Sequence, residues 1–116
     1  METISFEDFK KIEIRIGKII SAQRVETSNK LLKLEVDFGP SEKDSSEKEV
    51  RQILAGIAKF YTPEQIIGKQ CPFLVNLEPR KMMGLESQGM MLASGTEESI
   101  VILHPEKEVP NGSGIK

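Results

Sequence analysis

The chain has 116 residues, 38% hydrophobic and 29% charged, with a formal net charge of −2. That length can bury one core and not two, and the charge balance excludes a bulk polycation that would coat nucleic acid by charge alone. No apolar run approaches the roughly 20 residues of a membrane-crossing helix, the start Met-Glu-Thr-Ile-Ser lacks the pattern of a signal peptide, and the single cysteine leaves no intrachain disulfide, as suits a reducing cytoplasm.

Taken in chain order, Ser5 to Lys11 predicts a short helix. Ser5 offers a capping oxygen, Glu7 and Asp8 fall in the first turn, and Lys10 and Lys11 stand at the end, both complementary to the helix dipole. Phe6 and Phe9, three apart, share a face that would seal the bottom of a core. Ile12, Ile14 and Ile16 alternate with Glu13 and Arg15 and predict a half-buried strand. Past Gly17 the apolar phase shifts to Ile19, which predicts a bulge or bend at the glycine. After a polar connection, Leu32, Leu34, Val36 and Phe38 alternate with Lys33, Glu35 and Asp37 in a second strand, ended by Gly39-Pro40. Residues 41–48 contain no apolar residue and read as a surface hairpin loop. Val50 to Ala55 is a third strand. Thr62 and Pro63 begin a short helix that Gly68 stops. Cys71 to Leu77 is a fourth strand, Met90 to Ser94 a fifth, and Ile100 to Leu103 one more apolar run. The tail, with two glycines and a proline, is expected to run extended along the surface.

Between the fourth and fifth strands lies the stretch around which the rest is organised. After Pro79, Arg80 and Lys81 stand side by side in a segment that ends at Gly84, followed by Glu86, Ser87 and Gln88. Residues 51–92 carry five basic and three acidic side chains, whereas residues 39–50 and 93–116 each carry two and four. Positive charge therefore gathers here, and any nucleic-acid site must be a local patch. Five short strands with a helix between the third and fourth are the element order of an OB-fold, an all-β five-stranded Greek-key barrel with short helices. The six aromatics fall mostly at core-facing phases, which argues against a generic single-strand binder that stacks bases on aromatic rings. The single His104 has no partner for a metal site, Cys71 reads as a small buried residue, and no phosphate-binding glycine loop occurs. No catalytic residue, metal or cofactor is expected.

Five ordered segments carry a resemblance. Ile12–Ile19, Asn29–Gly39, Tyr61–Lys69, Val75–Gly84 and Glu86–Ala93 together resemble the tRNA-binding domain family. That family includes the C-terminal domain or beta subunit of methionyl-tRNA synthetases, stand-alone tRNA-binding proteins and a secretion-chaperone relative. The opening Phe-Glu-Asp-Phe-Lys-Lys and the tail Glu-Val-Pro-Asn-Gly-Ser are most similar to the methionyl-synthetase branch. The resemblance implies a single domain over residues 1–116, with a barrel over 6–94 and a C-terminal extension over 95–116 that pairs two subunits. It implies a cytoplasmic, non-catalytic accessory subunit or domain that binds folded tRNA and brings it to a synthetase's catalytic subunit. Carried over by position, the contacts would be Lys30, Lys33, Asn76, Arg80, Lys81, Ser87 and Met90. Arg80 and Lys81 suit phosphates, as a fork and a point charge. Asn76 and Ser87 suit phosphate, ribose or base edges, and Met90 an apolar contact or the core.

Two departures from the family pattern stand out. Met83 replaces a basic residue common before the glycine, and Glu26-Thr27-Ser28 stands where many members have His-Pro. Two other readings stay open: a chaperone-like polypeptide binder using Met82, Met83, Leu85, Met90 and Met91, and a pure dimerisation or assembly module.

Overall fold

The alternation in the first strands builds the sheet. The computed structural model describes residues 1–116. Its elements run α1 (Phe6–Phe9), β1 (Ile14–Arg24), β2 (Leu32–Pro40), β3 (Lys48–Ala55), α2 (Pro63–Ile66), β4 (Gln70–Leu74), β5 (Arg80–Met82), β6 (Leu85–Ser87), β7 (Met90–Met91), β8 (Ala93–Thr96) and β9 (Ser99–Ile102). One antiparallel sheet of order β3-β2-β1-β4-β7 curls into a half-barrel of the OB type, and β5–β6 and β8–β9 form separate hairpins. Leu32, Leu34, Val36 and Phe38 all point inward and are fully buried, packed with Ile19, Ile53, Ile66 and Phe73. The Phe38 and Phe73 rings meet edge to face with centroids 5.6 Å apart, the arrangement that ring quadrupoles favour. No helix is long and apolar enough to cross a membrane.

Several expectations need correction. Ser5 does cap α1, its Oγ accepting from the Asp8 N–H at 3.1 Å. Phe6 and Phe9, however, do not seal the core: they are 70% and 39% exposed, and α1 buries no residue. The strands and α2 already fill the interior, so the four-residue helix lies outside it. Ile12 is likewise exposed, and the inward run begins further along, reaching full burial only at Ile16.

The bulge is not at Gly17. The register shift lies between Ile19 and Ser21, turning Ile20 out to solvent while Ile19 stays buried. Gly17 instead permits a close approach. A Cβ there would collide with the Val36 methyl and stand 2.7 Å from Phe38 Cε1. It also adjoins the point where β1 changes partner, from β4 along Ile14–Lys18 to β2 along Lys18–Arg24.

Asp37, at an outward phase, is buried. Its carboxylate accepts from the Gly39 N–H at 2.8 Å, with the Lys48 ammonium 3.7 Å away. The fourth strand stops at Leu74 rather than Leu77: Val75 N–H still donates to the Glu13 carbonyl, but at Asn76 the side chain takes over from the backbone, accepting from the Glu13 N–H and donating to the Lys11 carbonyl. The fifth strand is two pieces. Met90–Met91 pairs with β4, and Ala93–Thr96 leaves the sheet to pair with β9. The tail lies along the half of β1 that β2 leaves unpaired: Ile16 N–H donates to Ser113 O, Gly112 N–H to Ile16 O, and Ile115 N–H to Ile14 O.

Gly17→Ala should therefore lower stability by about 1–3 kcal/mol through overpacking. Gly56→Ala, whose new methyl meets nothing within 4 Å, should change it far less. Urea denaturation of the two variants checks this, and equal effects would contradict the close-packing role of Gly17.

Candidate nucleic-acid interface

The basic corner is a hairpin. Arg80, Lys81 and Met82 pair with Ser87, Glu86 and Leu85 across the two-residue turn Met83-Gly84. Their φ values of 51° and 77° are those of a type I′ turn, whose twist suits a tight hairpin. Alternation sets Arg80 and Met82 on one face and Lys81 on the other. Met83 is a non-glycine residue in left-handed conformation, a position that Asn or Gly fills with less strain, and its side chain is exposed at the tip.

The polar residues behind this hairpin hold the fold together. β3 has β2 on one side only, so its other edge needs partners. The Gln52 N–H donates to Gln88 Oε1 at 3.0 Å, and Gln88 N–H donates to the Gln52 carbonyl at 2.8 Å. The Leu54 N–H donates to Ser87 Oγ at 3.0 Å, and that hydroxyl donates in turn to the Gly89 carbonyl at 2.8 Å. Gln52 Nε2 reaches the Glu86 carbonyl at 2.8 Å. Ser87 is 2% exposed and engages both ways, as donor and acceptor. Its hydroxyl closes the hairpin base onto the edge of β3.

Asn76 is also occupied. Its Oδ1 accepts from the Glu13 N–H at 2.9 Å and its Nδ2 donates to the Lys11 carbonyl at 2.6 Å. It lines a groove of about 430 Å³ with Arg15, Glu49 and Arg51. There Glu49 bridges two guanidinium groups, 3.1 Å from Arg15 Nη1 and 2.7 Å from Arg51 Nη2. Both guanidinium groups stand near the Phe38 ring, 5.6 and 5.7 Å from its centroid. Arg15 also donates to the Phe38 and Gly112 carbonyls, and Arg51 to the Val75 and Gln88 carbonyls. Burial alone would raise the Glu49 carboxyl, but the hydrogen bonds and charges of Arg15 and Arg51 outweigh it and hold the group below its ordinary value.

Of the other five candidate residues, Arg80 and Met90 line a different groove. It holds about 320 Å³ and is mainly apolar, with Leu31, Leu54, Ile57, Met82 and Met90 in its walls and Arg80 as its one charged member. Lys30 precedes Leu31 in the β1–β2 loop, which is tied to the segment after β3 by the Ala58 N–H bond to Lys30 O. Lys33 is the register partner of Leu54 and so shares its face. Lys81 flanks Arg80 on the opposite face of the hairpin. None of Lys30, Lys33, Arg80 or Lys81 takes part in any of the five ion pairs, so their charge is free for an external anion.

Sequence reasoning named Met82, Met90 and Met91 as a possible apolar surface but missed the walls Leu31, Leu54 and Ile57. The available signal was Leu54, an apolar residue at an outward phase between inward Ile53 and Ala55. Elsewhere, Cys71 is fully buried, and burial pushes its thiol up to about 11, so it is no ready nucleophile. The exposed His104 donates Nδ1–H to the carbonyl of Pro105 at 3.1 Å.

A family model described as "Putative tRNA binding domain" matches residues 14–114.

The chain belongs to the tRNA-binding domain family.

Among relatives of this family member, the methionine–tRNA ligase of Methanococcus aeolicus is 49% identical over 115 residues, 99% of this chain and 16% of the relative. That of Methanothrix thermoacetophila is 46% identical over 113 residues, 97% of this chain and 16% of the relative. The chain thus spans about one sixth of these curated relatives. A solved methionyl-synthetase-related protein of Pyrococcus horikoshii superposes with a TM-score of 0.87 at 35% identity, covering 100% of both chains. The chaperone CsaA of Bacillus anthracis gives 0.86 at 33% identity, covering 99% of this chain and all of that one.

Ser87→Ala should cost about 1–3 kcal/mol, because it strands the Leu54 N–H and the Gly89 carbonyl. Urea denaturation checks it, and a change near zero would contradict the closing role. Glu49 has a folded value below its unfolded one. Its contribution is therefore present above the ordinary carboxylate value of 4.5 and is lost as pH falls through the folded value. Glu49→Gln should destabilise at neutral pH by about 1.5–3 kcal/mol and flatten the stability–pH curve below about pH 5. Parallel acid limbs in urea titrations of the two proteins would refute that assignment.

Proposed function

We propose that this chain binds the folded shape of tRNA and delivers it to the catalytic part of a methionyl-tRNA synthetase, in the cytoplasm, with no catalysis of its own. The observation that carries the reading is a member of the tRNA-binding domain family in which Arg80 lines an apolar groove, Lys30 and Lys33 adjoin two of its wall residues, Lys81 follows Arg80, and none of the four is in an ion pair. A chain of net charge −2 that keeps these four cations out of ion pairs has a local field for a polyanion. In this reading Arg80 and Lys81 hold phosphates from the two faces of the hairpin, Lys30 and Lys33 hold the strand on the opposite rim, and Met90 gives apolar contact. Asn76 and Ser87 serve the same site indirectly, by fixing the start of β1 and the hairpin base.

A twofold dimer would present two such patches and raise avidity. Support comes from the exposed apolar side chains Phe6, Phe9, Ile12, Leu103 and Ile115. Phe6, Phe9, Ile12 and Ile115 line a recess of about 310 Å³, and Ile115 continues into a second, with Leu103, of about 290 Å³. Contiguous exposed apolar surface of this kind marks an association face. The C-terminal extension contributes two of these residues and α1 two more.

A second reading, polypeptide binding, draws on the likeness to CsaA and on the methionines of the groove. It predicts that an unfolded peptide binds in the micromolar range and that removing the cations does not matter.

If each of the four cations neutralises one phosphate, log affinity for tRNA should fall with log salt at a slope of about −3 to −4. Arg80→Gln with Lys81→Gln should shallow that slope by about 1.5–2 and weaken binding in a protein that still folds. Unchanged affinity would end the tRNA reading. Phe6→Asp with Ile115→Asp should shift the sedimenting species from dimer to monomer, and a monomeric wild-type chain would remove the dimer.

A further inference from the structure

The groove beside Arg80 has a chemistry of its own. We propose that it receives the base of one unpaired nucleotide of the bound RNA, with the adjoining phosphate on Arg80. This rests on the tRNA-binding reading and names a subsite within it.

Charge chooses the class of occupant. The only charged side chain in the lining is a cation, and Lys30 and Lys33 stand next to two of its walls, Leu31 and Leu54. A strand of phosphates suits such a rim, whereas an apolar peptide gains nothing from it. Size and chemistry narrow the occupant further. About 320 Å³ is at the lower end of the ~300–1,000 Å³ of small-molecule sites, fitting a single flat heterocycle better than a length of polypeptide. The walls hold thioethers, Met82 and Met90, and branched aliphatics, Leu31, Leu54 and Ile57. Soft sulfur packs well against a π face, and these side chains carry no polar group to read a base edge. A base in this groove is therefore selected for being unpaired and not for its identity. A base inside a duplex cannot reach the groove, while one in a loop, bulge or end can. The groove thus gives a route to recognising RNA shape without sequence and without aromatic stacking.

Gly56 makes the test clean. It lines the groove, is exposed, lies outside the left-handed region, and a Cβ built on it meets nothing within 4 Å. Gly56→Leu should fill the groove while leaving every cation in place. The probes are an RNA hairpin with one bulged nucleotide, the same hairpin with that nucleotide abasic, and the fully paired hairpin, compared by fluorescence anisotropy at fixed salt.

The wild type should bind the bulged hairpin about tenfold tighter than the other two, the scale of one well-packed base, whichever base is bulged. Gly56→Leu should reduce the preference to under twofold, with the affinity for the paired hairpin and its salt slope unchanged. Equal binding of bulged and abasic hairpins by the wild type overturns the inference without any variant. So does a Gly56→Leu protein that keeps the full preference. If Arg80→Gln with Lys81→Gln weakens all three probes while no base preference exists, the subsite fails and the tRNA reading stands. If that double variant changes nothing, both fail. Displacement of an unfolded apolar peptide by Gly56→Leu, with the bulge preference intact, would assign the groove to polypeptide and overturn the inference.

Discussion

The outer edge of β3 has to be satisfied before a half-barrel can hold a site, and two of its amides are met by side chains while the Gln52 carbonyl takes a backbone bond. A strand with one neighbour exposes alternate N–H and C=O groups that invite pairing with another chain. Here Gln88 meets the Gln52 amide and carbonyl, and the Ser87 hydroxyl meets the Leu54 amide. These bonds also fix the base of the β5–β6 hairpin against β3. The distance between Arg80 on the hairpin and Leu54 on β3, and so the width of the groove between them, depends on that closure. A backbone ladder would have pulled the two segments flush and left no groove.

The arginines divide by use. Arg15 and Arg51 are committed to the interior side of the barrel, where they share Glu49, stand near the Phe38 ring and donate to backbone carbonyls. They hold the tail, β3 and the end of β4 together, and little of their hydrogen-bonding capacity is left for a ligand. Arg80 is the opposite case, exposed and without an ion pair. The same residue type braces in one place and recognises in another because burial, and not sequence position, decides what a guanidinium group meets. Net charge is a poor guide for that reason: the field that matters comes from cations with no intramolecular partner.

Much of the fold was legible in the chain. The period-two runs in β1 and β2 and the Thr62-Pro63 helix start are local signals, and local physics settles them; Gly39-Pro40 is no turn but an irregular stretch inside β2, where the register with β3 shifts between Asp37 and Pro40. The five-stranded sheet and the helix between β3 and β4 followed, while the β5–β6 hairpin and the division of the fifth strand did not. What stayed hidden depended on distant contacts. Phe6 and Phe9 look like core residues by spacing, but nothing local says that Phe38 and Phe73 have already filled the interior. Gly17 looks like a bulge until Val36 and Phe38 are placed beside it. Among the candidate cations, Arg80 and Lys81 stand side by side in the sequence, whereas Lys30 and Lys33 were singled out only by the family resemblance. The inward turn of Ser87 was not legible, since a serine in a polar trio gives no hint that it completes a strand edge 33 residues earlier. The groove was missed for the same reason: its walls come from the β1–β2 loop, β3 and the hairpin, and only folding brings them together.

In the proposed function, a few cations outside any ion pair, with Arg80 beside an apolar groove, read the shape of a folded RNA. The most direct test compares folded bulk tRNA with an unstructured RNA of equal length across a salt titration. A clear preference for the folded tRNA, kept as salt rises and with a slope of a few units, is the expected result. Equal and weak binding of both RNAs at every salt concentration would contradict it and leave the cations as a merely adhesive patch.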